Sequence, residues 1–191
     1  MVNKVQVSIP AFIVCISVLI VVALFWLFYK NVTHASSVLD KKLSLEHTVT
    51  CLSAVVAHVL KSGGEGGVGG VITPASHPLL SRVLDGVEQL RVLNDPTAYV
   101  FIIDAQGNQV VNGGNSSIAH VNGGRPGVNT LEYKDNDGNR AIQMLLSKAA
   151  TGGGYVEYKW PHPTTQQYVK KLSYVTPIAG STWILGSGLY L

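Results

Sequence analysis

Cysteine is nearly absent from this sequence: Cys15 lies inside an apolar stretch and Cys51 well beyond it. That separation rules out a bridge between them, and with no C-x-x-C pair there is neither a disulfide framework nor dithiol chemistry to expect. The residues before Cys15, Phe12-Ile13-Val14, lack the small side chain that precedes a lipidated cysteine, which argues against a lipid anchor there. Charge is sparse, 13% of residues with a formal net of +3, and the basic residues never run longer than Lys41-Lys42 or Lys170-Lys171. Without a basic stripe or interleaved aromatics, nucleic acid is not an expected partner. The P-loop, the nucleophile elbow, the H-E-x-x-H zinc helix and the dinucleotide fingerprint are all missing. Gly63 to Gly70 is glycine-rich but lacks the Lys-Ser/Thr that cradles phosphate. No enzyme activity, cofactor or metal is therefore expected.

What the chain does have is one long apolar run. Between Lys4 and Lys30 it passes 25 residues without a charge. At 1.5 Å per residue this makes roughly 37 Å of helix, enough to cross a bilayer with some tilt. A cleaved leader has a shorter core and a small-x-small site, and only Thr33-His34-Ala35-Ser36 resembles one, so residues 5–29 are read as an uncleaved membrane anchor and 1–30 as tip plus anchor. Trp26 and Tyr29 sit at its end, where amphipathic rings favour the headgroups.

The remaining residues, 31–191, suit one domain. Over 31–61, Val38, Leu45, Val49, Leu52, Val56, Val59 and Leu60 fall within an arc of roughly 100°, the core stripe of a long helix. Residues 62–70 form a glycine-rich connection, and the core is expected over 76–191. There Pro78 to Val92 is a second amphipathic stretch, apolar at Leu79, Leu80, Val83, Leu84, Val87 and Leu90. The period then changes: Ala98 to Ile103 is a run of strand formers, Asp104-Ala105-Gln106-Gly107-Asn108 a turn, and Gln109-Val110-Val111 a returning strand. After an Asn- and Gly-rich loop, a short helix is predicted from Arg140 to Ala150, stopped by Gly152-Gly153-Gly154, and then strands over Tyr155–Trp160, Tyr168–Thr176 and Thr182–Tyr190. Five strands with helices around them make an α+β fold, with one antiparallel sheet covered by short helices.

The ordered set Tyr99-Val100-Phe101-Ile102-Ile103-Asp104-x-x-Gly107, Asp135-x-Asp137-Gly138, Gly153-Gly154-Tyr155-Val156-Glu157-Tyr158-Lys159-Trp160-Pro161, Lys171-Leu172-Ser173-Tyr174-Val175 and Trp183 to Tyr190 resembles the single Cache domain, the PAS-like extracytoplasmic sensor of bacterial chemoreceptors and sensor kinases. The resemblance covers Tyr99 to Leu191. It implies a domain that binds a small organic molecule, often a short carboxylate, between the sheet and the segments covering it. It also implies that 31–191 lies on the periplasmic side of the inner membrane, against the bias of Lys30, Lys41 and Lys42, which by charge counting would draw it to the cytoplasm. Asn112 to Ser117 stands where the family carries a histidine-proline or similar polar stretch, so the lid is altered.

Neighbouring strand residues point to opposite faces, so one of Lys170 and Lys171 must face the pocket. The resemblance makes it Lys171, as the anchor of a carboxylate; the competing reading is a solvated rim lysine. Tyr158 and Trp160 share a strand face and could wall the site or simply pack the core. Tyr99 and Phe101 join them on the first strand. Arg140 is a candidate for bidentate contact with an acid group or a surface arginine, and His120 is a loop candidate. His47, Cys51 and His58 fall within roughly 40° on the long helix, but on a straight helix they cannot converge on one ion. A solvent- or partner-facing surface is the simpler reading, so a homodimer through this helix is the expected assembly.

With no kinase, cyclase or methyl-accepting sequence before Leu191, the expectation is a tethered sensor that signals through a separate partner. Two alternatives stand beside it. One is a pilin-like structural subunit, although the glutamate such helices carry near their start is missing, there being no acidic residue from Val2 to Tyr29. The other is a truncated receptor.

Overall fold

The structure, a computed structural model, describes residues 11–62, 78–114 and 127–191. Helix α1 spans Ala11–Ser62 and α2 spans Pro78–Gln89, followed by a 3₁₀ turn at Val92–Asn94. Then come β1 (Val100–Asp104), β2 (Gln109–Asn112), α3 (Ala141–Ala150), β3 (Gly154–Pro161), β4 (Tyr168–Pro177) and β5 (Trp183–Tyr190). The described residues fall into two units, one ending at Lys42 and the other running from Leu43 to Leu191. In the first unit, Leu24, Phe25, Trp26, Leu27, Phe28 and Tyr29 are consecutive and all more than half exposed. An unburied apolar run of this length fits a lipid-facing surface. By length and composition the segment Ser37–Ser62 could also cross a membrane, yet it is core helix, because Leu45, Val49 and Val56 are completely buried. Val38, placed in the core stripe by periodicity, is exposed, so the buried part of the stripe begins at Leu45.

The five strands form one sheet in the order β2-β1-β5-β4-β3, antiparallel at every pairing. Closing it requires the last strand to enter beside the first, with Phe101 opposite Gly186 and Ile102 opposite Leu185. Strand alternation then gives the sheet two buried faces. One packs Val100, Ile102, Val111, Leu185 and Leu189 with Leu45, Val49, Val56, Val59 and Leu60 of α1 and Leu80, Leu84 and Val87 of α2. Each fully buried aliphatic side chain there contributes about 1.5–3 kcal/mol relative to exposure. Leu79 and Leu90 remain exposed, at the edges of the α2 stripe. Two polar contacts tie α1 to the sheet region: Ser53 Oγ donates to the Pro177 carbonyl at 3.1 Å, and Tyr155 Oη donates to Glu46 Oε2 at 3.1 Å. Burial, reinforced by that carboxylate, pushes the Tyr155 phenol up to about 12. The other face carries Tyr99, Phe101, Ile103, Val156, Tyr158, Trp160, Val175 and Ile184 and is covered by Ala141, Ile142, Leu145 and Ala149 of α3.

Two turns of the same spelling, Asp-x-x-Gly-Asn, bracket the cavity face. In the first, Asp104 Oδ1 accepts the backbone N–H of Gln106 and of Asn108 at 2.9 and 2.8 Å, and Oδ2 accepts Asn108 Nδ2 at 2.7 Å. In the second, which leads into α3, Asp135 makes the same three contacts with Asp137 and Asn139. Burial alone would raise the Asp135 carboxyl, but the hydrogen bonds from Asn139 and Asp137 outweigh it and hold it below its ordinary value.

Glycine at 188 is a requirement of the second face. A Cβ there would stand 2.1 Å from Ser173 Oγ and 2.8 Å from Lys171 Cε, the two β4 residues that flank it. Gly188→Ala therefore displaces β4 side chains, with a predicted loss of about 1–3 kcal/mol from overpacking, read as a lower urea midpoint at unchanged slope. Unaltered stability would show that β4 yields freely.

Candidate ligand-binding site

On the face covered by α3, the side chains of Tyr99, Phe101, Ile103, Gln109, Asn112, Ile142, Leu145, Tyr158, Trp160 and Lys171 leave a cavity between them. It holds about 240 Å³ of empty space counted to its mouth. A guest fitting it would be small, below the size of a drug-like ligand.

Lys171 is 1% exposed. Its ammonium sits 3.7 Å from the centroid of the Tyr99 ring, 5.0 Å from that of Tyr190 and 5.7 Å from that of Phe101. Ring faces attract a cation, but they neutralise no charge, and among the described residues no carboxylate lies within ion-pair distance of Lys171. Burial accordingly pushes its pKa below the ordinary lysine range, and Tyr99 pulls it only part of the way back. Its neighbour Lys170 points to the opposite side, exposed and ion-paired to Glu157 at 2.8 Å. The alternation that separates the two lysines thus places one charge in water and the other in the cavity.

Tyr158 lies directly across from Lys171 in the β3–β4 pairing. Its hydroxyl and Ser173 Oγ are 2.9 Å apart, and burial raises the phenol well above its usual value. Burial does the same to Tyr190, whose hydroxyl donates to the Pro161 carbonyl at 2.8 Å. These phenols stay neutral, so they can donate hydrogen bonds but cannot act as counter-ions. Trp160 meets Tyr158 edge to face at 5.9 Å and Tyr133 at 4.9 Å, which fixes the indole as a wall.

Of the residues singled out from sequence, the structure brings Lys171, Tyr158, Trp160, Tyr99 and Phe101 together around one cavity. Arg140 is not among the lining residues: it precedes α3 and pairs with Glu132 at 2.7 Å on the surface. His120 lies outside the described residues. On α1, His47 Nε2 and Cys51 Sγ are 3.8 Å apart on an exposed face, and among the described residues no group of three His, Cys, Asp or Glu side chains could hold a metal. Sequence reasoning missed Gln109 and Asn112. Three residues apart on a regular strand they would face opposite ways, but the register slips between Ile102 and Ile103, so Val111 pairs with Ile102 while Gln109 pairs with Ile103. Val110 is the extra residue of a β-bulge, which turns both amides onto the cavity face.

The family profile of Single Cache domain 2 matches residues 69–191, the whole sheet and the segments around it. The chain belongs to the single Cache domain family. Over 93 residues it is 38% identical to the sensor histidine kinase MctS of Rhizobium johnstonii, a match that covers 49% of this chain and 19% of that kinase. Solved Cache structures share the fold. A Cache chemosensory domain described for carboxylic acid recognition aligns at a TM-score of 0.54 and 26% identity, over 85% of this chain and 97% of that one. The periplasmic sensor domain of a chemotaxis protein aligns at 0.60 and 23%, over 81% and 97%. Single Cache domains are sensory ligand-binding modules, not catalysts, and that membership leaves the pilin-like alternative without support.

A buried ammonium without a counter-charge among the described residues makes two predictions. Lys171→Met keeps the volume and removes the charge, so it should raise the unliganded melting temperature, by about 2–4 °C for each kcal/mol recovered. In the native protein the unfolded chain holds the Lys171 proton between the lowered folded pKa and 10.5, so stability rises with pH across that window. Thermal melts of both proteins at a series of alkaline pH values check this, and a wild type that loses stability there relative to the variant would contradict it.

Proposed function

We propose that this chain is a membrane-tethered extracytoplasmic sensor for a short carboxylate whose anionic group pairs with Lys171. One observation carries the reading: an ammonium enclosed by aromatic rings with no described carboxylate beside it. Such a group is costly in the empty protein and becomes favourable when an anion enters, so the same cavity that resists an isolated cation selects a negatively charged guest. Tyr158, Trp160, Tyr99 and Phe101 supply the apolar walls of the same cavity. Support also comes from the Cache chemosensory domain described for carboxylic acid recognition.

In this reading residues 5–29 are the anchor, consistent with the exposed apolar run at Leu24–Tyr29, and residues 31–191 are the sensor. The domain faces the periplasm, as the related periplasmic sensor does, despite the lysines that follow the anchor. Leu43 and Val55 of α1, both more than half exposed, offer apolar surface to a second copy. Signalling then runs through α1 to a partner: the liganded state alters the equilibrium of the helix by no more than the ligand's preference for that state.

The test is a thermal-shift series on the 191-residue chain in lipid nanodiscs, with acetate, propionate, pyruvate, lactate and the matching amines. At 100 times its dissociation constant a ligand stabilises by about 2.7 kcal/mol, several degrees for a domain of this size. Carboxylates should produce that shift, amines should not, and Lys171→Met should remove it. A shift from amines, or one that survives Lys171→Met, would defeat the assignment.

A further inference from the structure

Gln109 is 2% exposed, and its amide orientation can be fixed from its neighbours. The Thr130 hydroxyl has one proton, which it donates to the Gly107 carbonyl at 3.1 Å. With its proton there it accepts Gln109 Nε2 at 2.8 Å. Exchanging the amide nitrogen and oxygen would take the hydroxyl proton away from the Gly107 carbonyl. The other end of the amide, Oε1, is then a buried acceptor with no hydrogen-bond partner among the described residues. It belongs to a side chain that lines the same cavity as Lys171. The β-bulge at Val110 is what turns it there; in a regular strand it would not share a face with Asn112.

The cavity thus presents two unmet demands of opposite kind. Lys171, hydrogen-bonded to the Tyr99 side chain, lacks a counter-charge among the described residues, and Gln109 Oε1 requires a donor. A plain carboxylate answers the first and leaves the second unpaired. A keto acid adds one more acceptor, which Oε1 repels. An amino acid offers donors, but its ammonium would share a small cavity with the Lys171 charge. A carboxylate bearing a hydroxyl answers both, since the hydroxyl donates to Oε1 while the carboxylate pairs with the lysine. We propose that Gln109 is a specificity-determining residue that makes this domain select short hydroxycarboxylates over plain and keto acids of the same length. The proposal rests on the carboxylate reading and adds the second half of the ligand.

Lactate, propionate and pyruvate share a three-carbon frame and differ only at the second carbon, so they isolate the contact. Isothermal titration of the 191-residue chain in nanodiscs should show lactate binding about tenfold or more tighter than either of the others, because a site built to pair a hydroxyl discriminates against analogues lacking it. Gln109→Met, similar in length and without the acceptor, should bring lactate and propionate within about threefold of each other while propionate affinity is retained. That retained affinity also reports that the variant is folded. Should it fail to fold, the wild-type ratio decides alone. Propionate or pyruvate binding as tightly as lactate, as they would if a bound water already satisfied Oε1, overturns the role of Gln109 and leaves the carboxylate reading standing. No binding of any of the three overturns both.

Discussion

The cavity side of this sheet is organised around a single ammonium group without a carboxylate of its own among the described residues. Burying a lone charge is among the most costly things a fold can do, and proteins ordinarily avoid it by pairing or by shifting the proton. Here Tyr99, Tyr190 and Phe101 reduce the cost with ring faces, and in the proposed function an anionic guest relieves the remainder. A domain whose empty state carries such a penalty is poised to respond, because whatever neutralises the charge changes the free energy of the whole sheet.

Several features that look unrelated follow from housing that group. Gly188 has no Cβ because Lys171 and Ser173 occupy the space. Gly114 lacks one because the Tyr99 ring lies against its backbone, with Tyr99 Cζ 2.3 Å from where a Cβ would be. Tyr99 is thereby held in place beside the ammonium. The bulge at Val110 costs regular pairing at the sheet edge, yet it delivers two amides to a wall otherwise made of rings and aliphatic chains. The opposite face, filled by α1 and α2, has no such compromises and supplies the hydrophobic stability against which they can be tolerated.

Much of this was legible in the residues. Strand alternation makes Lys170 and Lys171 a pair of which one must turn inward. The likeness to Cache domains indicates which, and the structure places Lys171 in the cavity and Lys170 in water. The hairpin at Asp104–Asn108, helix α3 and the three final strands lie within a residue or two of where periodicity and turn chemistry put them. Arg140 looked able to reach a ligand because it opens α3, but only the fold shows that Glu132 is beside it on the outside. Gln109 was illegible for a definite reason: a bulge breaks the two-residue period on which facing arguments depend. The repeated Asp-x-x-Gly-Asn spelling was visible at both turns, but its common purpose needs the hydrogen bonds to be seen.

The central claim is that an anion, and nothing within the described protein, balances the charge of Lys171. The most direct test is its ionisation, followed through the Cε chemical shift by NMR across alkaline pH with and without a bound carboxylate. The account predicts a midpoint below the ordinary lysine value of 10.5 in the empty domain and a rise once the ligand is bound, because the anion favours the protonated form. A midpoint at the ordinary value that the ligand leaves unchanged would mean that Lys171 already has its counter-charge, and the account would be wrong.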